Sequence, residues 1–391
     1  MGDDEKTMTN RERVLAVLDC EEYDRSPIVH FGFLGETFEK WVAEGHLTEE
    51  EVRGYSDGNP TDDVICEKLG FDFSYHSIFA PNNGLLPPFE SRTLAEFPDG
   101  SKHILGGDGV VVLHVPGAGS IQPDVDHLLQ DRAAWEDLYL PKLQYSEDRV
   151  ARAVVRIGDR MASFGEGGAD YLRGGQRNHL LGLHCGSLYG NIRNWLTMEG
   201  SCYMLMDDEP LLDEIIETNA ELCYQCTKNV LESGAQFDFA HFWEDICFKN
   251  GPLISPKVFQ EKVGPHYKRI TDLVNSYGIN IVSLDCDGMI DALIPTWLNN
   301  GVNTMFPIEV GTWGSSIAPW REQYGKELRG VGGMDKRVFA RDRSAVDADV
   351  ERLKPLVDLG GYLPCVDHRI PGDAVWDNVR YYCNRMHEEF A

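Results

Sequence analysis

The chain has 391 residues, 42% hydrophobic and 26% charged, an ordinary globular composition that excludes disordered, collagenous and coiled-coil classes. Asp and Glu total 64 against 36 Lys and Arg, a formal charge of −28. Such a field repels phosphate backbones and anionic membrane surfaces, so neither nucleic acid nor membrane is an expected partner. No apolar run approaches the roughly 18 residues of a membrane span. Residues 1–10 (MGDDEKTMTN) lack the basic and apolar regions of a secretory signal. The ten cysteines then read as reduced thiols of a cytoplasmic protein, not as a disulfide framework. The length suits two or three average domains, or one α/β barrel with insertions.

The pattern TNRERVLAVLDC over 9–20 opens on a cap at Thr9 or Asn10 and continues as an amphipathic helix. Asp24-Arg25-Ser26-Pro27 breaks the chain, and 28–33 reads as a buried strand. Residues 35–57 read as helical, with Phe38, Trp41 and Val42 on one face. Over 71–140, short apolar runs are cut by Pro, Gly and Asp-Gly pairs, the chemistry of hairpins. This segment is expected to be an antiparallel, β-rich insertion. Residues 147–233 read as mostly helical around a glycine-rich interruption at 165–190. Cys223-Tyr-Gln-Cys226 lies in that stretch, and a lone C-x-x-C inside a helical pattern reads as a buried helix face.

The second half is regular. Apolar runs at 237–242, 279–284, 302–307, 328–332 and 361–366 alternate with helical segments at 256–276, 289–299, 315–326 and 338–358. Alternation at this spacing predicts a parallel sheet with crossover helices. Each run ends in polar residues: His241, Glu244 and Asp245, then Asp285, Cys286 and Asp287, then Glu309, then Asp335 and Lys336, then Cys365, Asp367 and His368. In an α/β barrel the C-terminal strand ends share one rim, and chemistry collects there.

Carboxylates, an imidazole and a thiol on one rim suit Zn²⁺ or another divalent metal. Within a strand, Asp285 and Asp287 share a face and Cys286 points away; in a loop Cys286 stays a candidate. His368 is a third candidate ligand, and Glu244 or Glu309 can complete the set. Without a metal, the crowded carboxylates raise one pKa and create a general acid. Glu244, Asp245 and Glu309 are the candidate catalytic groups. Arg173, Arg177 and Arg193 flank the glycine-rich segment and suit a carboxylate, or else the surface. Gly332-Gly333 before Asp335-Lys336 marks a tight turn. No phosphate-binding loop, dinucleotide fingerprint or nucleophile elbow occurs.

Several blocks together resemble the uroporphyrinogen decarboxylase superfamily: TNRERVLAVLDCEEYDRSPI, WEDICFKNGPLISP, LDCDGMIDALIPTWLNNGVNTMFPIEV, GGMDKR, GGYLPCVDHRIPGD and WDNVRYYC. The resemblance implies a single TIM (β/α)8 barrel over 1–391, with the 71–140 insertion within it and the active site at the C-terminal face. The superfamily holds tetrapyrrole decarboxylases and the methyltransferases of corrinoid-dependent methyl transfer. Decarboxylases carry an arginine-rich segment after the first strand; here 30–36 reads HFGFLGE and has none. The methyltransferase branch ligates zinc with His-x-Cys and a late Cys. At the matching places this chain resembles it with Asp285, Asp287 and His368.

The expectation that follows is a metal-dependent methyltransferase. It would move a methyl group from a methoxylated or other methylated small molecule to the cobalt of a separate corrinoid protein, since the chain has no D-x-H-x-x-G corrinoid motif. His30, Phe33, Arg193, His241 and Trp243 are the candidate substrate-binding residues, with Phe31 and Trp313 as further aromatic lining. The alternatives are a metal-free decarboxylase-type lyase, with Asp245 or Asp287 as acid and His368 as orienting group, and a barrel that binds a corrinoid or tetrapyrrole without chemistry.

Overall fold

The structure is a computed structural model and describes residues 7–118, 122–175 and 177–390. The first six residues, which enter the reading of the N-terminal stretch, lie outside the described residues. Nine strands form one sheet, every pair parallel. Their order is Phe73–Ser74, Val29–His30, Tyr362–Val366, Arg329–Met334, Thr304–Ile308, Val282–Asp285, Phe239–Trp243, Gly182–Gly186 and Ile78–Phe79. The first and last strands of this order belong to one short stretch of chain, so the sheet curls back toward its own start. The five apolar runs of the second half are all strands, and Pro256–Lys262, Gly264–Ser276, Ile294–Asn299, Ile317–Tyr324 and Arg343–Val357 are the helices between them.

The strands alternate between two cores because successive side chains leave opposite faces. Phe31, Tyr75, Phe239, Ile281, Phe306, Val331, Leu363 and Cys365 pack together on the concave side. Val14, Val17 and Leu18 of the helix Asn10–Leu18 join them. That helix starts where expected: Thr9 Oγ1 accepts from the Glu12 N–H at 3.2 Å and the Thr9 N–H donates to Glu12 at 2.7 Å. Ala240, Phe242, Val282, Leu284, Met305 and Val366 face the helices on the convex side. Burial on both faces explains why these strands read as continuous apolar runs. The same alternation turns His241, Ser283 and Asp285 to the concave side.

Three expectations are corrected. The antiparallel insertion is real but narrower than 71–140: its sheet runs Arg92–Glu96, Lys102–Leu105, Val110–His114 and Asp124–His127, while Phe73–Ser74 and Ile78–Phe79 belong to the parallel sheet. Residues 147–233 are mostly helical as expected, but those before Gly190 are not. They hold a hairpin, Val154–Ile157 with Arg160–Ser163, and the parallel strand Gly182–Gly186; the helices Gly190–Asp207 and Glu209–Glu232 follow. Cys223 and Cys226 lie on the buried face of the second. Gly332 does not make a turn. It is within a strand at φ +126°, where a Cβ would stand 2.3 Å from the Ile308 nitrogen, so the bare backbone lets two strands close. Among the described residues no helix is long and apolar enough to cross a membrane.

Candidate active site

Asp285 ends its strand facing inward and is 5% exposed. Cys286 turns outward into the convex core and is fully buried. Asp287 turns inward again. Asp245 stands at φ +47°, a left-handed conformation uncommon outside glycine, and its Oδ1 accepts the Asp287 N–H at 3.0 Å. Asp245, Asp285 and Asp287 each bring one carboxylate oxygen within 4.8 Å of the others. His368 closes this side, its Nε2 3.4 Å from Asp287 Oδ2. Asp287 Oδ1 is buried and has no hydrogen-bond partner among the described residues.

Crowding and burial work against a charge on Asp245 and on Asp285. Burial, then the Asp287 charge, pushes Asp245 up to about 6. Burial, Asp245 and Asp287 raise Asp285 well above the usual carboxylate range. Burial works against a charge on His368, but its bond to Asp287 prevails and its pKa rises. The group is built to hold protons or a cation.

Next to it, His76, His241 and Asp285 also bring ligand atoms within 4.8 Å of one another. His76 Nδ1 is 3.3 Å from Asp57 Oδ2, and Asp57 is in turn held by Arg369 Nη2 at 2.7 Å and the Tyr55 hydroxyl at 2.8 Å. Burial drives His241 well below an ordinary imidazole and takes His184, also beside His76, down to about 4. Asp57, His76, His184 and His241 border a cavity of about 340 Å³ that also touches Ser187 and Trp243. Phe31 and Phe306, with ring centroids 4.4 Å apart, pack against the His76 ring.

The expected site residues divide into two sets. Asp245, Asp285, Asp287, His368, His241 and Trp243 come together. Arg193 adjoins them, donating to the Asp245 carbonyl at 2.7 Å with its guanidinium over the Trp243 ring. Glu309 lies behind Asp287, where it accepts the Gly288 N–H at 2.5 Å and the Thr312 hydroxyl at 2.7 Å and so anchors the loop. Glu244 is not a catalytic or ligand group. It is fully buried and accepts from the N–H groups of Leu188, Tyr189 and Gly190, from Ser187 Oγ and from the Tyr267 hydroxyl. Its charge caps the start of the helix Gly190–Asp207, as an anion at a helix N-terminus should. His30 is not at the site either: it lies on the convex side, its Nε2 3.2 Å from Asp62 Oδ1 and its ring against Phe33 and Phe71. Phe33 packs there too, on Phe38 and Trp41. Arg177 pairs with buried Asp238 at 3.0 Å, and Cys365 is sealed in the concave core. The sequence reading missed Asp57, His76, His184 and Arg369. His76 lies between two strands of two residues each, too short to show a period, and His184 is the middle residue of Gly182–Gly186, a strand bounded by glycines.

Residues 194–389 match the uroporphyrinogen decarboxylase (URO-D) family. The chain belongs to the uroporphyrinogen decarboxylase family. Among solved structures, this URO-D chain is similar to a methyltransferase from Methanosarcina mazei, at 14% identity and TM-score 0.60, over 97% of this chain and 99% of that one. It is also similar, more distantly, to a B12-independent methionine synthase from a Shewanella species, at 12% identity and TM-score 0.36, over 60% of this chain and 74% of that one. No curated protein matches the sequence. The likeness to the first structure is one of fold and runs over the whole length, beyond the segment matched to the URO-D family.

Proposed function

We propose that this protein is a metal-dependent methyltransferase whose curled sheet is a single (β/α)8 barrel. It would take a methyl group from a methoxylated or other methylated small molecule and deliver it to the cobalt of a separate corrinoid protein. The observation that carries the reading is the cluster of Asp245, Asp285, Asp287 and His368, with an unpartnered carboxylate oxygen buried inside it. That donor set fits a divalent cation. Asp285, Asp287 and His368 would hold it, with Asp245 adjacent. A divalent ion such as zinc supplies Lewis acidity toward the oxygen that the methyl group leaves. Trp243, Ile78 and Ala80 offer apolar wall for the methylated donor, and His368 is kept oriented by Asp287. The M. mazei methyltransferase of similar fold is in keeping with this reading.

A metal-free carboxy-lyase is the second reading, favoured by the Asp245 carboxyl near pH 6, well placed to hand on a proton. Against it, Arg369 is engaged by Asp57 and is not free for a substrate carboxylate.

The test is elemental analysis of the wild type, Asp287→Ala and His368→Ala, followed by methylation of a reduced corrinoid protein with methoxylated donors, read by absorbance. Divalent metal in the wild type that falls in both variants, with corrinoid methylation, is expected. A metal-free wild type that releases CO₂ from a carboxylated substrate would overturn the reading in favour of the lyase.

A further inference from the structure

His241 poses a problem that the Asp285, Asp287 and His368 ligand set does not solve. It is 1% exposed, and neither Nδ1 nor Nε2 has a hydrogen-bond partner among the described residues. Leaving a buried polar atom unsatisfied costs about 1–3 kcal/mol, and here one ring leaves two. Its neighbours are arranged around the same point. The His76 ring is 5.3 Å away, centroid to centroid, and edge-on. Asp57 occupies His76 Nδ1 and is itself clamped by Arg369 and Tyr55, which fixes the ring and leaves Nε2 as the outward nitrogen. A carboxylate behind an imidazole is the usual support for a metal-binding histidine. The Asp285 carboxylate completes the group, with all three ligand atoms within 4.8 Å.

We infer that His76, His241 and Asp285 form a second divalent-metal site, which shares Asp285 with the carboxylate cluster. Two imidazole nitrogens and one carboxylate select a first-row transition ion such as Zn²⁺ or Co²⁺ over Mg²⁺ or Ca²⁺, which prefer all-oxygen sets. A shared carboxylate between two ligand groups is the layout of two-metal sites. The inference rests on the Proposed function only in taking Asp285, Asp287 and His368 as the first site.

The experiment is titration of the purified, metal-stripped full-length protein with Co²⁺. Equilibrium dialysis gives the stoichiometry, and visible absorption reports nitrogen ligation. The wild type is expected to bind two Co²⁺ per chain. His241→Ala and His76→Asn should each bind one, with loss of part of the visible band, while circular dichroism stays native. Asp287→Ala should also bind one and should keep the band that His241→Ala loses. The inference is overturned if His241→Ala and His76→Asn both leave stoichiometry and spectrum unchanged, or if the wild type binds only one ion and only Asp287→Ala removes it. Those results leave the first site standing. If Asp287→Ala changes nothing while His241→Ala loses an ion, the first site fails and the second holds. Where His241→Ala does not fold, His76→Asn decides, because His76 is part exposed.

Discussion

Replacing Glu244 by Ala should unfold the protein more readily without acting on the chemistry directly. The substitution strands five donors around a cavity: the N–H groups of Leu188 (2.8 Å), Tyr189 (2.9 Å) and Gly190, Ser187 Oγ (3.3 Å) and the Tyr267 hydroxyl. Each buried, unsatisfied donor costs about 1–3 kcal/mol. The two hydroxyls can turn, and water can enter the space left by the side chain, so the costs do not simply add. Two or three donors left unsatisfied set the scale of the loss. About 4 kcal/mol is therefore expected. At about 2.1 cal/mol/K per residue, a 391-residue chain has an unfolding entropy of roughly 0.8 kcal/mol/K, which turns that loss into a fall in Tm of about 5 °C. Glu244→Gln keeps one acceptor and most of the volume and should lose about half as much. The assay is thermal and urea unfolding, with metal content measured alongside. A Tm within about 1 °C of wild type, with turnover abolished, would refute the capping role and return Glu244 to the chemistry.

Two further outcomes follow from buried groups outside the site. Burial, then Arg177 and Arg156, pushes His179 down to about 4; in the unfolded chain it titrates near 6.5. The unfolded state therefore binds more protons between these values, and stability should fall as the pH drops from about 6.5 to about 4, by at most about 1.4 kcal/mol per pH unit. Urea unfolding at pH 7 and pH 5 should show a smaller acid loss in His179→Gln; parallel slopes would contradict the assignment. Of the cysteines, Cys202 is exposed, whereas Cys223 and Cys226 are buried and their thiols are pushed up, Cys226 to about 12. A thiol reagent should label native protein rapidly at Cys202, and Cys202→Ser should abolish the fast phase. Fast labelling at Cys223 or Cys226 would mean that their helix face opens.

The second half of the fold was legible because its strands are buried on both faces and therefore appear as unbroken apolar runs between amphipathic helices. The acidic pair Asp285 and Asp287 was legible for the same reason, since a period of two sends both to one side and Cys286 to the other. The first half was harder to read. Gly182–Gly186 begins and ends in glycine, and Phe73–Ser74 and Ile78–Phe79 are two residues each, so none shows a period. The hairpin at Val154–Ile157 did carry a signal, the Gly158-Asp159 turn, which the helical expectation for that stretch obscured. Glu244 illustrates a different limit. Its place after a strand suggested a rim carboxylate, and only the packing of the helix Gly190–Asp207 against it reveals a cap. His30 shows the same limit on another strand: its neighbour Phe31 faces the site and His30 faces the helices.

The sheet both starts and ends within residues 73–79, and His76 sits between those two short strands. The groups around the site thus come from the first quarter of the chain (Asp57, His76), its middle (His241, Asp245, Asp285, Asp287) and its last thirty residues (His368, Arg369). No partial fold that lacks the C-terminal strand contains the set. Any ligand that spans it binds the finished fold and nothing earlier, so by mass action it stabilises the complete chain against every partly assembled form. Occupancy of the site is then also a record that the first and last parts of the chain have come together.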